Sequence, residues 1–159
     1  EWAKRNTKVM GISVDGVAEH KKWKGDIETF AGAKATFPII ADTDLAVAKA
    51  FDMLPADAYL PDGRTANDTA TVRSVFIVAP NKKVQLIMTY PMSVGRNFAE
   101  VLRALDAVQA SFGVPVAMPA NWVPGQDVIV ALSLTDDQAR EKFGEIDIKL
   151  PYLRTTKLK

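Results

Sequence analysis

An arginine stands at the entry to a strongly apolar segment. Thr71 to Pro80 reads TVRSVFIVAP, so Arg73 is followed by one serine and then by Val, Phe, Ile and Val. A guanidinium is planar, permanently charged and rich in donors, and its burial is costly unless an anion meets it. Arg73 therefore either lies at a strand end, exposed or paired with a carboxylate, or belongs to a site that binds an anion. The residues by themselves leave both readings open.

Histidine and cysteine limit the other chemistry. The chain has no cysteine, which excludes disulfides, thiolate metal sites and thiol catalysis by these residues alone. Its single histidine, His20, argues against a histidine-rich metal site and makes a serine triad improbable. A hydrolase that uses a serine and His20 finds no supporting motif such as GxSxG. We expect His20 to be a core or rim histidine with a hydrogen-bond partner, and we expect no metal or cofactor.

Composition places the chain among ordinary globular proteins. It has 159 residues, 48% hydrophobic and 25% charged, which predicts one domain with a short appendage. A net charge of +1 gives no basic field for nucleic acid or an anionic membrane, and the apolar runs are too short to span a bilayer. The start EWAKRN is polar and resembles no secretory signal, so we expect a cytoplasmic location. The chain begins at Glu1, which reads as a start in the middle of a longer protein.

Strands alternate with helices in the first part of the pattern. VMGISV at 9–14 and FPIIA at 37–41 read as short strands, each followed by a helix whose start carries aspartate caps, Asp15 for the first and Asp42 to Asp44 for the second. Gly32 is the expected end of the first helix. Spacings of three and four place one apolar stripe on the first helix, made of Val17, His20, Trp23, Ile27 and Phe30. The second helix is expected to carry Leu45, Ala48 and Phe51 inward. A Pro-rich loop at 54–71 follows.

The second part of the pattern is a hairpin, a helix and an extension. Arg73 to Val78 and Val84 to Tyr90 predict two strands joined by a turn at Asn81. Asn97 is the expected cap of a helix with Glu100 as a capping-box partner and an apolar face of Phe98, Val101, Leu102, Leu105 and Val108. After a connector rich in Gly and Pro come a strand at 128–132, a helix that starts at Thr135 with Gln138, and a tail, PYLRTTKLK. The order predicts an α/β fold with a mixed sheet.

Several segments together resemble one family. The segment at 67–109 resembles the one-cysteine branch of the peroxiredoxins, and five shorter pieces fit the same branch in the same order: GISVD at 11–15, HKKW at 20–23, FPIIAD at 37–42, MPANW at 118–122 and PYLR at 151–154. The resemblance implies a thioredoxin-like mixed sheet flanked by helices, with its N-terminal strands missing, at 1–112. It also implies a small C-terminal α+β extension that serves dimerisation at 113–159.

The resemblance also implies a function. Peroxiredoxins reduce hydrogen peroxide and alkyl hydroperoxides through a cysteine thiolate that becomes a sulfenic acid. Arg73 matches the arginine of the family's catalytic constellation, and Arg96, in GRNF, matches a second arginine near the same pocket. The peroxidatic cysteine and its threonine are not in this chain, so it reads as an inactive C-terminal portion of an antioxidant peroxidase. The parent is expected to need an external thiol or another reductant, and to form a homodimer through the edge strand Val84 to Tyr90 and the C-terminal extension.

A second class of function remains possible on the same residues. A thioredoxin-like module without cysteine could serve binding or chaperone-like association through an exposed edge strand. That reading requires the chain to fold stably alone, and a sharp, cooperative melt would favour it.

Overall fold

The computed structural model describes residues 1–54 and 70–158. The chain divides into two compact units. The first comprises Glu1–Val75 and Met88–Arg96, and the second comprises Phe76–Ile87 and Asn97–Lys159. Among the described residues no helix is long and apolar enough to cross a membrane.

A parallel strand pair and its crossover helix form the first part of the first unit. After a short 3-10 turn at Ala3–Arg5, β1 (Gly11–Ser13) pairs in parallel with β2 (Ile39–Ala41), with Gly11 opposite Ile39. Helix α1 (Val17–Ala31) connects the two strands, as parallel pairing requires. Both strands are shorter than the sequence predicts, but the strand–helix–strand order is confirmed.

Helix α1 ends at the predicted residue but is not capped at its start by the predicted side chain. Gly32 ends the helix in the left-handed conformation, with φ of 63°, and its N–H reaches back to the Glu28 carbonyl. At the start, the N-cap residue is Gly16 and no side chain caps the helix, so the prediction for Asp15 is wrong. The Asp15 carboxylate instead accepts a hydrogen bond from the Ser13 hydroxyl at 2.9 Å.

The apolar stripe of α1 is largely exposed in this chain. His20 is the buried residue of the helix, whereas Trp23 is 47% exposed and Phe30 is 91% exposed. Val17 is also exposed, so three members of the predicted stripe are not covered by the described residues of this chain. Periodicity reports that a face is apolar, and it does not report which element covers that face.

A buried carboxylate organises the start of the second helix. Helix α2 (Ala46–Ala50) is short, and the carboxylate of Asp42 accepts the N–H groups of Val47 at 2.9 Å and Ala48 at 2.7 Å. Asp42 therefore satisfies free amides at the helix start, as its position predicts. Ala48 is fully buried, but Phe51 is 44% exposed, so the inward prediction is wrong for Phe51.

The hairpin matches its predicted bounds. Strands β3 (Arg73–Val78) and β4 (Val84–Tyr90) form a two-stranded sheet, antiparallel because the short turn between them leaves no room for a crossover. The turn is closed by the Ala79 N–H on the Lys83 carbonyl at 3.0 Å. The open end of the hairpin belongs to the first unit and its turn to the second. Most of the predicted loop at 54–71 lies outside the described residues.

Helix α3 (Phe98–Ser111) begins where the sequence predicts. The Asn97 side chain accepts the N–H groups of Ala99 and Glu100, which satisfies two donors of the first turn. Val101 and Leu105 are buried, whereas Phe98 is 59% exposed and does not join the inner face. The capping-box role predicted for Glu100 is wrong, because its carboxylate pairs with Arg103.

The C-terminal residues form an antiparallel sheet with one helix. The order is β5-β6-β8-β7, built from β5 (Val116–Ala117), β6 (Val128–Val130), β7 (Asp147–Leu150) and β8 (Leu153–Thr156). Helix α4 (Asp136–Phe143) starts at the predicted capping box, in which Thr135 and Gln138 satisfy each other's backbone. The reading of 151–159 as a tail is wrong, since β8 lies between β6 and β7.

Candidate functional site

Arg73 lies where the hairpin opens. It is the first residue of β3, its side chain is exposed, and its Nε donates to the Met92 carbonyl at 2.8 Å. The antiparallel pairing explains this contact, because the start of β3 lies beside the end of β4 and the residues that follow it. This hydrogen bond aims the guanidinium without neutralising its charge.

Arg96 lies close enough to Arg73 for the two charges to interact. Its Nη2 donates to the Ser74 carbonyl at 3.4 Å, and the residue is half-buried. Burial lowers the pKa of the Arg96 guanidinium, and the positive charge of Arg73 lowers that pKa further, while Tyr90 acts in the opposite direction. The sequence predicts both arginines as site residues, and the structure brings them together.

The two guanidiniums are held by carbonyls. Within residues 1–54 and 70–158 no carboxylate lies within salt-bridge distance of Arg73 or Arg96. A carbonyl dipole orients a cation but leaves its full charge to the surroundings. The described residues therefore do not support the reading in which Arg73 is a strand-end arginine paired with a carboxylate, and they leave two adjacent cations able to receive an anion.

A cleft of about 270 Å³ opens beside Arg73, entirely within the first unit. Its lining residues include an arginine, an aspartate, a serine, a threonine and a methionine beside apolar residues. The lining residues are Ser13, Val14, Asp15, Ala70, Thr71, Arg73 and Met92. Such a set can bind a small polar molecule with both donors and acceptors.

Of the lining residues, Arg73 alone is predicted as a site residue. Ser13 lies in GISVD and Met92 in the segment at 67–109, and both segments support the family resemblance, but neither points to a role of these two residues in a site. Asp15 was noticed, but as a helix cap. Ser13, Asp15 and Arg73 line one cleft of the first unit although they are distant in sequence, and no local pattern encodes that proximity.

His20 meets the expectation of a buried, hydrogen-bonded histidine. It is 8% exposed and its Nε2 lies 2.7 Å from the Ser13 Oγ. Since the Ser13 hydroxyl donates to Asp15, and its oxygen also accepts the Asp15 N–H at 3.2 Å, Nε2 must be the donor toward Ser13. Its Nδ1 is buried without a partner among the described residues.

This arrangement does not prepare Ser13 for nucleophilic attack. A nucleophilic serine needs a base that accepts its proton, whereas here the imidazole donates to the oxygen and the proton of the hydroxyl points to Asp15. The contacts rather fix Asp15 in the wall of the cleft. The described residues likewise hold no group of three histidine or carboxylate side chains with the geometry of a metal site.

Comparison with known proteins gives the site its context. A family model described as the AhpC/TSA family matches residues 1–87, and a model of the C-terminal domain of 1-Cys peroxiredoxin matches residues 107–145. Arg73 falls within the first match, while Arg96 lies between the two.

Similar proteins cover the chain from end to end. Peroxiredoxin PRX1, mitochondrial, of Saccharomyces cerevisiae is 46% identical over 100% of this chain, which spans 60% of that protein's length. The 1-Cys peroxiredoxin PER1 of Triticum aestivum is 40% identical over 99% of this chain, which spans 73% of that protein.

Solved structures agree with these relatives. The yeast mitochondrial 1-Cys peroxiredoxin superposes with a TM-score of 0.85 at 44% identity, covering 99% of this chain and 73% of that one. A cysteine-to-serine mutant of peroxiredoxin 6 from Arenicola marina gives a TM-score of 0.87 at 36% identity, with the same two coverages. The chain belongs to the peroxiredoxin family, in its one-cysteine branch, and it has the thioredoxin-like α/β fold of that family.

Proposed function

We propose that this chain supplies the arginine side of the active site of a thiol peroxidase that reduces hydrogen peroxide and alkyl hydroperoxides. One observation carries the proposal: in a member of the peroxiredoxin family, two arginines lie together with only carbonyl partners among the described residues. The 159 residues contain no cysteine, so the thiol is not among them and the chain on its own is expected to be inactive.

The proposed reaction transfers one oxygen atom to sulfur. A cysteine thiolate attacks the terminal oxygen of the hydroperoxide, an S–O bond forms and the O–O bond breaks. Sulfur is oxidised by two electrons to a sulfenic acid, and the peroxide leaves as water or an alcohol after taking up a proton. Negative charge lies on sulfur at the start and moves to the leaving oxygen.

Arg73 and Arg96 can stabilise the negative charge on the thiolate sulfur and the negative charge that develops on the leaving oxygen. Their adjacent guanidiniums favour the thiolate over the thiol and donate hydrogen bonds to the leaving oxygen as it becomes negative. Because each is already aimed by a carbonyl, little reorganisation is needed when the charge develops. The half-buried position of Arg96 strengthens its interaction with an anion relative to a fully exposed cation.

The sulfenic acid must then be reduced by a thiol from outside the chain. The solved structure of the yeast relative concerns thiol resolution via glutathione/thioredoxin systems. The 159 residues contain no cysteine, so they supply no thiol that could resolve the sulfenic acid. We therefore propose a low-molecular-weight thiol or a thioredoxin-like protein as the reductant, with turnover in each system as the test.

We also propose a homodimer formed through β4 and the C-terminal extension, with the extension beginning at residue 113. β4 is an edge strand of its two-stranded sheet, and Ile87 on it is 57% exposed. Ile87→Lys is expected to shift the sedimentation coefficient of a dimer to that of a monomer. A sedimentation coefficient that is unchanged by this substitution contradicts β4 as the contact.

The compartment remains a prediction. We propose a cytoplasmic location, whereas the yeast relative is described as mitochondrial. Subcellular fractionation followed by detection of the native protein decides between the two.

The peroxidase proposal is tested by supplying the thiol. The cysteine-bearing segment of the yeast relative is joined before Glu1, and turnover of hydrogen peroxide is measured with a thiol reductant. We expect activity in this chimera and a loss of roughly 10²- to 10³-fold on Arg73→Ala, as for the removal of other donors to a developing oxyanion.

Arg140→Ala is the matched control, because Arg140 is an exposed arginine whose ion pair lies on α4. Activity that survives Arg73→Ala at the level of Arg140→Ala overturns the role of Arg73. A folded chimera without peroxidase activity overturns the proposed function.

A further inference from the structure

Met92 lies in the same cleft as Arg73, and the two residues are directly connected. Arg73 Nε donates to the backbone carbonyl of Met92 at 2.8 Å, and both residues line the cleft. Met92 is 47% exposed, so its thioether is open to small solutes. Among the described residues no partner holds the terminal nitrogens of Arg73, which leaves its outer donors for a bound molecule.

We propose that Met92 is a second site of peroxide chemistry, oxidised to methionine sulfoxide by a hydroperoxide bound at Arg73. The inference rests on the proposed function in one respect, namely that the cleft binds hydroperoxides. It requires no cysteine, so it assigns a reaction to the chain as it stands. The co-reactant is the hydroperoxide itself.

The step balances without any further reagent. A lone pair on the Met92 sulfur attacks the terminal peroxide oxygen, the S–O bond forms and the O–O bond breaks. Sulfur loses two electrons and becomes the sulfoxide, while the peroxide gains them and leaves as water or an alcohol. The proton of the attacked oxygen passes to the leaving oxygen.

Arg73 accelerates this step for the same reason that it assists the thiol reaction. The leaving oxygen gains negative charge as the O–O bond lengthens, and a fixed guanidinium donor stabilises that charge. The hydrogen bond from Arg73 to the Met92 carbonyl fixes the methionine backbone relative to this donor. Because Arg73 is exposed, we assign to this donor only the net value of an ordinary hydrogen bond, which corresponds to about a tenfold higher rate.

Two of the other four methionines provide internal references. Met10 is 64% exposed and does not line the cleft, while Met53 is 4% exposed. If exposure alone controlled oxidation, Met10 would react faster than Met92 and Met53 would be protected. Assistance by Arg73 reverses the order of the first two and leaves Met53 protected.

The experiment measures sulfoxide formation at each methionine. The 159-residue chain is treated with hydrogen peroxide, quenched over time and analysed by peptide mass mapping for the gain of one oxygen at Met10, Met53 and Met92. The same comparison is made in the chimera described above with its cysteine replaced by serine. Arg73→Ala and the control Arg140→Ala are measured in parallel.

We expect Met92 to react about tenfold faster than Met10, and this advantage to disappear in Arg73→Ala but not in Arg140→Ala. Protection of Met53 shows that the protein is folded during the reaction. If Met10 is then oxidised at least as fast as Met92, the proposal is overturned. So does a Met92 advantage that is unchanged by Arg73→Ala.

The outcome separates this proposal from the proposed function. A chimera that turns over peroxide while Met92 shows no advantage refutes only the methionine reaction. If the cysteine-bearing chimera is folded but has no peroxidase activity, while its serine variant shows an Arg73-dependent Met92 advantage, the methionine reaction is supported and the thiol peroxidase is refuted.

Discussion

Arg154 on β8 is expected to contribute strongly to stability. Its side chain is 5% exposed, and its terminal nitrogens donate to the carbonyl of Leu134 at 2.8 Å, to the carboxylate of Asp136 at 2.8 Å and to the carbonyl of Ala131 at 2.9 Å. One guanidinium thereby connects the β8 strand to the segment between β6 and α4. We predict that Arg154→Met destabilises the chain markedly.

The magnitude follows from what the substitution leaves behind. Methionine keeps most of the apolar stem, so the cavity cost is small, but the Leu134 carbonyl loses its Arg154 donor at about 1–3 kcal/mol when buried. The Ala131 carbonyl keeps the N–H of Leu134 at 3.2 Å, so its loss is smaller. Asp136 is 46% exposed and can regain water, which reduces its share. The Arg154 Nε is buried without a described partner, and its removal offsets part of the loss. We expect a net loss of about 1–3 kcal/mol.

Urea unfolding measures this loss. Trp122 is 3% exposed and lies in the same unit as Arg154, so in a background with Trp2→Phe and Trp23→Phe its fluorescence reports on that unit. Arg140→Met is the matched control, because that arginine is 51% exposed and lies 3.5 Å from a carboxylate that is 99% exposed. Such surface pairs contribute about 0–1 kcal/mol.

The reasoning requires a clear difference between the two arginines. If Arg154→Met and Arg140→Met lower the free energy of unfolding by amounts within about 0.5 kcal/mol, the donors of Arg154 are not what holds β8 in place. A changed denaturant slope in Arg154→Met but not in the control would instead mean that the C-terminal sheet no longer unfolds with its unit.

Three further substitutions test local features by urea or thermal unfolding. Arg103 lowers the pKa of the Glu100 carboxyl, so their pair stabilises the fold above the unfolded pKa and ceases to do so as the pH falls through the lowered folded pKa. Glu100→Gln should therefore cost about 0.3–0.5 kcal/mol at neutral pH and nothing below the folded pKa, and a cost independent of pH contradicts the ion pair. Thr135→Ala should cost about 1 kcal/mol while Thr135→Ser costs little, because the hydroxyl accepts the first-turn amide; equal losses contradict the cap. Gly32→Ala, at φ of 63°, should destabilise by about 1–2 kcal/mol, whereas Gly25→Ala, inside α1 with open space around it, should stabilise by about 0.5–1 kcal/mol; two changes of the same sign contradict the helix-end assignment.

Elements with strong local signals could be predicted from the sequence. The hairpin strands have their predicted bounds, since each is a run of β-branched and aromatic residues interrupted by one polar turn. The starts of α3 and α4 follow from Asn97 and Thr135, whose side chains satisfy amides only two or three residues away. The donor and the acceptor of each of these hydrogen bonds lie within a few residues of each other, so both are visible in one short stretch of sequence.

Elements that depend on distant partners could not be predicted. Strand β8 reads as a polar tail, because its burial comes from pairing with β6 and β7 on its two sides and from an arginine whose partners lie around residue 134. Asp15 reads as a helix cap, because its real donor, the Ser13 hydroxyl, competes for it only in the folded backbone. The exposed Trp23 and Phe30 show the same limit for packing.

Arg73 and Arg96 show which features of the candidate site could be predicted from the sequence. Their position at the hairpin opening follows from two predicted strands, but the identity of their partners does not. A carboxylate would have fixed each guanidinium and cancelled its charge, whereas the Met92 and Ser74 carbonyls fix it and leave the charge in place. The like charge of Arg73 lowers the pKa of Arg96, so the pair carries an electrostatic cost when no anion is present. An anion that develops only during a reaction relieves this cost at that moment, which favours the charged state of a reacting peroxide over its neutral ground state. The proposed assistance to a thiolate and to the Met92 thioether therefore depends on the same property, two oriented cations without a described counter-ion.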